Sequence, residues 1–581
     1  MYYTDQKSAQ IVLSLFKKHS IKNIVVSPGA KNIPIVGSIQ ADPFFTVYSA
    51  VDERSAGYMA VGLACETGEI VVISCTGATA SRNYLSALTE AYYRKLPIIA
   101  LTSCHGKESI GHLIAQSIDR SKIQNDISRL SVEIPPIRDK DEEWEATIST
   151  NKAILETRRH GGGPVHINIK TTSSTFKTKE LPDVVKISRY FSKDNYPEID
   201  PRNRTVVFIG SCNLSFKDQE AIEQFVKTHN AVVLCDHTSG YHRKGKVQAS
   251  IIASSKLNSL KPDLILHIGE VSGDYPTIGI IKNFQVPVWR ISEDGEIKDT
   301  FRFLQNIFET TVYEFFASTN EEKLEIENDY LKLWELHISE LNSQIPDIPY
   351  SNMWIASRVS KNIPENSVLH LGILNSLRCW NYFQVPESVR TFSNVGGFGI
   401  DGTLSTLLGA SLASENKLYF AVLGDLAFFY DMNSLGNRHV GKNLRILLIN
   451  NGGGTEFKLY SHIGAQFGNK ADDFIGAFGH FVDRFAIEKN KISPAQSWSE
   501  SLGFKYISAS CKESFDEKIS EFLCAIQERP VIFECFTNSS DESDALQMTE
   551  QIGANILESK LKESLPKPVL DGLKSAVKKF K

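Results

Sequence analysis

The sequence predicts an α/β protein built of mainly parallel sheets flanked by helices. Three observations lead there. Short apolar runs alternate with stretches of helical periodicity along most of the chain, the pattern of βα units. Glycine-rich or polar clusters close several of these runs, where an open α/β sheet presents its ligand sites. The alternation also restarts twice after polar stretches, at Thr205 and near Asn352. These restarts divide the 581 residues into three domains, 1–180, 200–345 and 350–560, with a basic tail at 561–581.

In the first domain Ile11, Val12, Leu15 and Phe16 have helical spacing. A strand at 24–26 ends in Ser27-Pro28-Gly29-Ala30-Lys31, and one at 45–48 leads to Val51-Asp52-Glu53-Arg54-Ser55-Ala56 and a helix. The strand at 70–74 runs into Thr76-Gly77-Ala78-Thr79-Ala80, which opens another helix. The strand at 97–101 precedes Ser103-Cys104-His105-Gly106-Lys107-Glu108, and Gln116 follows in the run Ala115–Asp119. Taken alone, Glu53 is an acidic residue in a helix first turn, favourable to the macrodipole. Taken alone, His105 and Lys107 are either solvated residues or a proton carrier and a carboxylate partner.

The polar stretch 171–204 reads as a linker. The second domain has strands at 206–209, 231–235, 264–268 and 287–291. Gly210-Ser211-Cys212 and Gly269-Glu270-Val271 follow two of them. No GxGxxG fingerprint is present, so this domain reads as structural, and a nicotinamide-dependent oxidoreductase is disfavoured. Residues 321–341 read as a charged amphipathic helix with a solvated face,.

The third domain opens with a strand at 367–371, followed by Gly372-Ile373-Leu374-Asn375-Ser376-Leu377 and Arg378, and closes with a strand at 530–536. At its centre, apolar runs at 419–423 and 444–449 bracket a helical pattern. They predict two parallel strands with a crossover helix. Gly424 and Asp425 end the first; Asn450, Asn451 and three glycines, 452–454, end the second. One carboxylate, one amide and a glycine-rich backbone form a hard oxygen site. Such a site suits Mg²⁺ that takes its other ligands from phosphate and water, and glycines let backbone approach a diphosphate. Taken alone, the same residues also read as a helix cap and a turn.

Composition narrows the class. A net charge of −5 gives no basic face for nucleic acid,. No run approaches the roughly 18 apolar residues of a membrane span. The N-terminal MYYTDQKSAQ is polar and has no signal-peptide core,. Nine scattered cysteines without a CxxC pair suit reduced thiols in a cytoplasmic protein,.

The runs GDLAFFYDMNSL and INNGGG resemble the motif of thiamine diphosphate-dependent enzymes. With SPGA, DERSA and CTGATASRNYL they are most similar to the SEPHCHC synthases of menaquinone biosynthesis. The resemblance covers the chain in domain order. It implies the three-domain architecture of these enzymes: a pyrimidine-binding, a central and a diphosphate-binding domain. Asp425, Asn451 and the Gly453 carbonyl would hold Mg²⁺ against the cofactor's diphosphate. Gly424, Leu426 and Gly454 would flank it, with Gly399 and Ile400 of the run Phe392–Gly402, which resembles SNRGASGIDG. Glu53 would hydrogen-bond the aminopyrimidine and favour the tautomer that activates the cofactor, with Thr76 and Gly77 nearby. Gln116, matching the family run NQAIDQ, would be a substrate-side hydrogen bonder. In the family the two halves of the site come from different subunits, so the resemblance implies a homodimer or homotetramer.

Substrate motifs depart from the family. Lys31 stands where an arginine is expected, Ser103-Cys104-His105-Gly106 replaces a DRP-type run, and the SNRG arginine is Val395. Arg378 lies near a further family arginine but out of register, and Thr455-Glu456 replaces an apolar pair. Lysine does not bind carboxylate bidentately as arginine does. Losing such anchors costs about 1.5–3 kcal/mol per charged hydrogen bond. The expectation is therefore an enzyme that decarboxylates a 2-oxo acid, then protonates the product or adds it to an acceptor. Lys31, His105 and Arg378 are its candidate substrate contacts. The alternatives are SEPHCHC synthase itself, acting on 2-oxoglutarate and isochorismate, and a non-catalytic binding protein on the same fold.

Overall fold

A computed structural model describes residues 2–119, 124–255, 258–320, 325–481 and 492–552. They fall into two compact units, one within Met1–Asp194 and Asp294–Glu309, the other within Asn195–Glu293 and Thr310–Lys581. The expected tail 561–581 lies outside the described residues. No helix among the described residues is long and apolar enough to cross a membrane.

The first unit holds β1 (Asn23–Val26), β2 (Thr46–Ser49), β3 (Val71–Thr76), β4 (Ile98–Cys104), β5 (Ser131–Ile134) and β6 (Val165–Lys170). They pair in parallel in the order β2-β1-β3-β4-β6-β5. Successive residues of a strand point to opposite faces. Val72, Ile99 and Leu101 accordingly join the core beneath Ile11, Leu15 and Phe16. Val71, Ile73, Ile98 and Ala100 join the core that holds Ala56, Ala60 and Ala87. Both faces are buried, which is why these strands read as unbroken apolar runs.

The expectation of a linker over 171–204 is corrected. The stretch contains β7 (Ser188–Phe191). It pairs in parallel with β13 (Leu304–Glu309), and Tyr190 stacks on Phe308 at 5.2 Å. Its polar residues are tied down as well: the Thr178 hydroxyl donates to Asp5 at 2.9 Å. Polarity there marks an edge of the fold rather than free chain.

In the second unit β8 (Thr205–Ile209), β9 (Ala231–Cys235), β10 (Lys246–Val247), β11 (Leu264–Ile268) and β12 (Val288–Ile291) run in the order β10-β9-β8-β11-β12. This is the doubly wound order 3-2-1-4-5, whose ligand crevice lies between β8 and β11. Backbone fills that crevice. A Cβ on Gly210 would lie 2.0 Å from the Glu270 carbonyl oxygen, and Glu270 N donates to Ser211 O at 2.8 Å. The expected helix over 321–341 is also corrected. Residues 321–324 lie outside the described set, and the helix is Asp329–Asn342, capped by the Asn328 side chain, which accepts from Leu331 N at 2.9 Å.

The same unit carries β14 (Val368–Leu371), β15 (Arg390–Phe392), β16 (Tyr419–Gly424), β17 (Leu444–Asn450), β18 (Lys505–Ala509) and β19 (Val531–Phe536), in the order β15-β14-β16-β17-β19-β18. Counted from its own first strand this is 2-1-3-4-6-5, the topology of the first sheet. The chain thus builds three parallel-sheet layers flanked by helices, two of them wound alike.

Candidate active site

The carboxyl edge of β16 and β17 gathers the expected metal donors. Gly424 pairs with Ile449, so Asp425 and Asn450-Asn451 leave the sheet side by side. Asp425 opens the helix Asp425–Asp431 and is 5% exposed, and its Oδ1 accepts from Leu426 N at 2.9 Å. Burial pushes its carboxyl up to about 7, against hydrogen bonds from the Leu426 and Gly452 N–H groups. A buried carboxylate without a cation beside it is costly to ionise.

The two asparagines differ. Both polar atoms of Asn450 are engaged: its Nδ2 donates to Glu534 at 2.6 Å and its Oδ1 accepts from Gly452 N at 3.2 Å. Asn451 donates through Nδ2 to Thr455 Oγ1 at 3.1 Å. Its Oδ1 is buried with no hydrogen-bond partner among the described residues. Orphaned buried acceptors are rare, and a hard cation is the natural partner for this one.

The glycines here are required by space. Gly452 has φ +84°. A Cβ on Gly453 would lie 2.7 Å from the Phe478 ring and 2.9 Å from the Gly476 carbonyl oxygen. The Gly453 carbonyl accepts from Thr455 N at 3.0 Å and keeps a second lone pair,. Around Gly424 a Cβ would meet nothing within 4 Å, so there is open space beside this residue. No group of three or more His, Cys, Asp or Glu side chains among the described residues is arranged to hold a metal. A cation at Asp425, Asn451 Oδ1 and the Gly453 carbonyl would complete its shell from phosphate oxygens and water. The residues present fit Mg²⁺ held against a diphosphate.

Gly399 and Ile400 are half-buried in the loop after β15. Gly399 is pressed by its own loop, a Cβ there lying 2.3 Å from Asp401 Oδ1. Val395, where an arginine was expected, is buried at 2% exposure beside Gly273.

In the first unit Asp52 caps the helix Glu53–Thr67, accepting from Arg54 N at 2.8 Å. Glu53 is half-buried and accepts at Oε2 from Asn83 Nδ2 at 3.0 Å. Thr76 ends β3; Gly29 fits against it, since a Cβ there would lie 2.7 Å from Thr76 Cβ. Gly77 is buried beside Ala78, which adopts φ +57°. Positive φ at a residue with a Cβ is strain, and strain gathers at functional sites.

A cavity of about 350 Å³ opens in the same unit, lined by His105, Lys107, Gln116, Asp119, Glu133 and Asn168. It unites two expected substrate contacts, His105 and Gln116; Gln116 has φ +62°. Lys31 is close enough to act on His105: burial and then the Lys31 ammonium hold His105 below its usual value, with Lys170 in the same sense and Glu108 opposed. Lys170 pairs with Glu108, and Lys107 with Glu133 at 3.1 Å.

Arg378 is engaged elsewhere. It lies in the second unit and binds Glu456 bidentately, Nη1 and Nη2 each donating at 2.7 Å. Both side chains are largely buried, at 14% and 16% exposure. Sequence reasoning marked Thr455 and Glu456 only as departures from a motif and passed over Asn375; all three touch the metal-side loop or its supports. Asn83 lies inside the quoted SRNYL run but drew no attention.

Residues 6–126 match the family described as "Thiamine pyrophosphate enzyme, N-terminal TPP binding domain". The 2-succinyl-5-enolpyruvyl-6-hydroxy-3-cyclohexene-1-carboxylate synthase of Bacteroides thetaiotaomicron is 31% identical over 567 residues, covering 94% of this chain and 98% of that enzyme. The enzyme of that name from Phocaeicola vulgatus is 30% identical over 564 residues, with the same coverage. That from Flavobacterium johnsoniae is 28% identical over 481 residues, 79% of this chain and 86% of that one.

Proposed function

From the premise that the chain belongs to the family of 2-succinyl-5-enolpyruvyl-6-hydroxy-3-cyclohexene-1-carboxylate (SEPHCHC) synthases, we propose how its residues serve a thiamine diphosphate- and Mg²⁺-dependent carboligase acting on a 2-oxo acid. When bound, thiamine diphosphate supplies the electron sink for loss of CO₂ from such an acid. Asp425, Asn451 and the Gly453 carbonyl hold the metal. Gly424, Leu426, Gly454, Gly399 and Ile400 border the diphosphate. Glu53, held in line by Asn83, would hydrogen-bond the aminopyrimidine and hold or release a proton at its carboxyl, with Thr76 and Gly77 alongside. The observation that carries this reading is the buried, unpartnered Asn451 Oδ1 next to a carboxylate raised by burial.

His105, Gln116 and Lys31 form the substrate side; the acid's carboxylate lies toward the Lys31 ammonium, with the neutral His105 imidazole as a hydrogen-bonding partner. Lysine and histidine in place of arginines favour a donor and acceptor with fewer carboxylates than the family's pair. A second reading is SEPHCHC synthase activity itself, in menaquinone biosynthesis. It is supported by the names of the relatives and by the cations Lys31, Lys107 and Lys170 around the cavity. The domain division 1–180, 200–345 and 350–560 and a cytoplasmic homodimer or homotetramer belong to the same proposal.

The test is calorimetric titration of thiamine diphosphate, with and without Mg²⁺, into the wild type and Asp425→Ala. CO₂ release is then measured across a panel of 2-oxo acids that includes 2-oxoglutarate with isochorismate. Mg²⁺-dependent binding lost in the variant supports the metal assignment; binding that ignores both Mg²⁺ and the substitution overturns it. Turnover of 2-oxoglutarate with isochorismate decides for the second reading.

A further inference from the structure

A chain of hydrogen bonds runs from an ion pair to the unpartnered oxygen of Asn451. Glu456 holds Arg378 by two bonds of 2.7 Å, and Arg378 Nη1 donates to Asn375 Oδ1 at 2.6 Å. Asn375 Nδ2 donates to Thr455 Oγ1 at 3.0 Å, and Asn451 Nδ2 donates to the same oxygen at 3.1 Å. The direction of the chain is set at its charged end. A guanidinium has only donors, so Asn375 must turn its carbonyl oxygen to Arg378 and its NH₂ to Thr455. With one lone pair taken by Asn375, the Thr455 hydroxyl keeps a second lone pair and its own proton; in the arrangement found the second lone pair accepts from Asn451 Nδ2, and the Asn451 oxygen turns away.

Two further features show that this arrangement is built. Thr455 is 3% exposed, so its hydroxyl has little water to fall back on. Leu374, which precedes Asn375 at the start of the helix Asn375–Trp380, adopts φ +63° and ψ −122°. A leucine held at positive φ is strained, and the strain is tolerated where Asn375 is aimed at Thr455. The apolar pair expected after the triple glycine offers neither the hydroxyl nor the carboxylate.

We propose that Thr455, Asn375, Arg378 and Glu456 are positioning residues for the metal site. They fix the Asn451 amide so that its oxygen is presented to a divalent cation, and the Arg378–Glu456 pair locks the chain. Groups that orient a metal ligand typically change metal affinity by about 10–100-fold when removed. The inference rests on Asn451 being a metal ligand, and its experiment separates the two ideas.

Mg²⁺ is titrated into full-length protein in the presence of excess thiamine diphosphate, by calorimetry, and Mn²⁺ by electron paramagnetic resonance. Thr455→Val removes the hydroxyl and should weaken the cation about 10–100-fold. Thr455→Ser keeps the hydroxyl and should bind within about threefold of wild type; a role in packing alone would give the reverse, sparing valine, which keeps the branched shape, and impairing serine, which loses the methyl group. Glu456→Gln should weaken binding about tenfold, and combining it with Asn375→Ala should add little, because both act through one chain. If Thr455→Val does not fold, Glu456→Gln with Asn375→Ala carries the test. Wild-type affinity in Thr455→Val or Glu456→Gln overturns the proposal while Asn451→Ala still abolishes binding. If Asn451→Ala also binds normally, the reading of Asn451 as a metal ligand has failed.

Discussion

Asn83 donates its side-chain amide to Oε2 of Glu53 at 3.0 Å across two helices of the first unit. A carboxylate at a helix start can swing between rotamers; this bond holds one of them. Glu53→Gln keeps an oxygen for Asn83 but cannot take or give a proton. It should lower CO₂ release by about 10²–10⁴-fold, with thiamine diphosphate still binding in calorimetry. Wild-type turnover in the variant would remove Glu53 from the chemistry.

The helix that starts at Glu53 rests on the helix Leu85–Tyr93 at a point with no spare room. A Cβ on Gly57 would lie 2.6 Å from Ala87 Cβ. Gly57→Ala gains helix propensity of about 1 kcal/mol but overpacks a core at about 1–3 kcal/mol. The net effect should be destabilising in urea unfolding. Adding Ala87→Gly should recover part of it; no recovery would place the cost elsewhere.

Asp274 gives a stability change with pH. Burial, with the neighbouring Asp236 in the same sense, raises its carboxyl from 3.8 to about 6; bonds from Thr277 and Ser250 oppose this. The folded state therefore holds a proton that the unfolded state gives up. Its favourable contribution is present below about pH 4 and is lost as pH rises through 6. Asp274→Asn stays neutral, and the hydroxyls of Ser250 and Thr277 can rotate to suit it. Thermal melts should show the variant more stable at pH 8 by up to roughly 3 kcal/mol, with the gap closing toward pH 4. A gap independent of pH would assign the effect to something other than this carboxyl.

Gly453→Ala should disturb the metal-side loop. Its Cβ meets the Phe478 ring and the Gly476 carbonyl oxygen at once. Removing the ring alone leaves the carbonyl in place, so Phe478→Ala should not rescue it. Mg²⁺-dependent binding of thiamine diphosphate should weaken about tenfold or more; unchanged affinity would mean the loop tolerates the shift.

What the sequence makes legible follows from what is local. β3, β4, β16 and β17 are buried on both faces and read as apolar runs. β18, Lys-Tyr-Ile-Ser-Ala, is a half-buried edge strand and does not. β7 was hidden in polar surroundings for the same reason. Asp425 and Asn451 could be found because each ends a strand that the pattern reveals. Arg378 and Glu456 are 78 residues apart, and no periodicity says which side chains meet across a sheet edge. The backbone-filled crevice between β8 and β11 was foreshadowed by the absent fingerprint, but its closure depends on two loops meeting in space.

The shared 2-1-3-4-6-5 winding has a consequence for how such a chain can change. Gly77 and Asp425 both follow the third strand of their own sheets, while His105 and Asn451 both follow the fourth. One scaffold is therefore written twice, with different words at the same two places. On the proposed assignment, mutations after β4 would retune what is recognised there without rewriting the loop after β17. A lineage can keep its reagent and trade its clientele, because the two vocabularies are stored on separate pages.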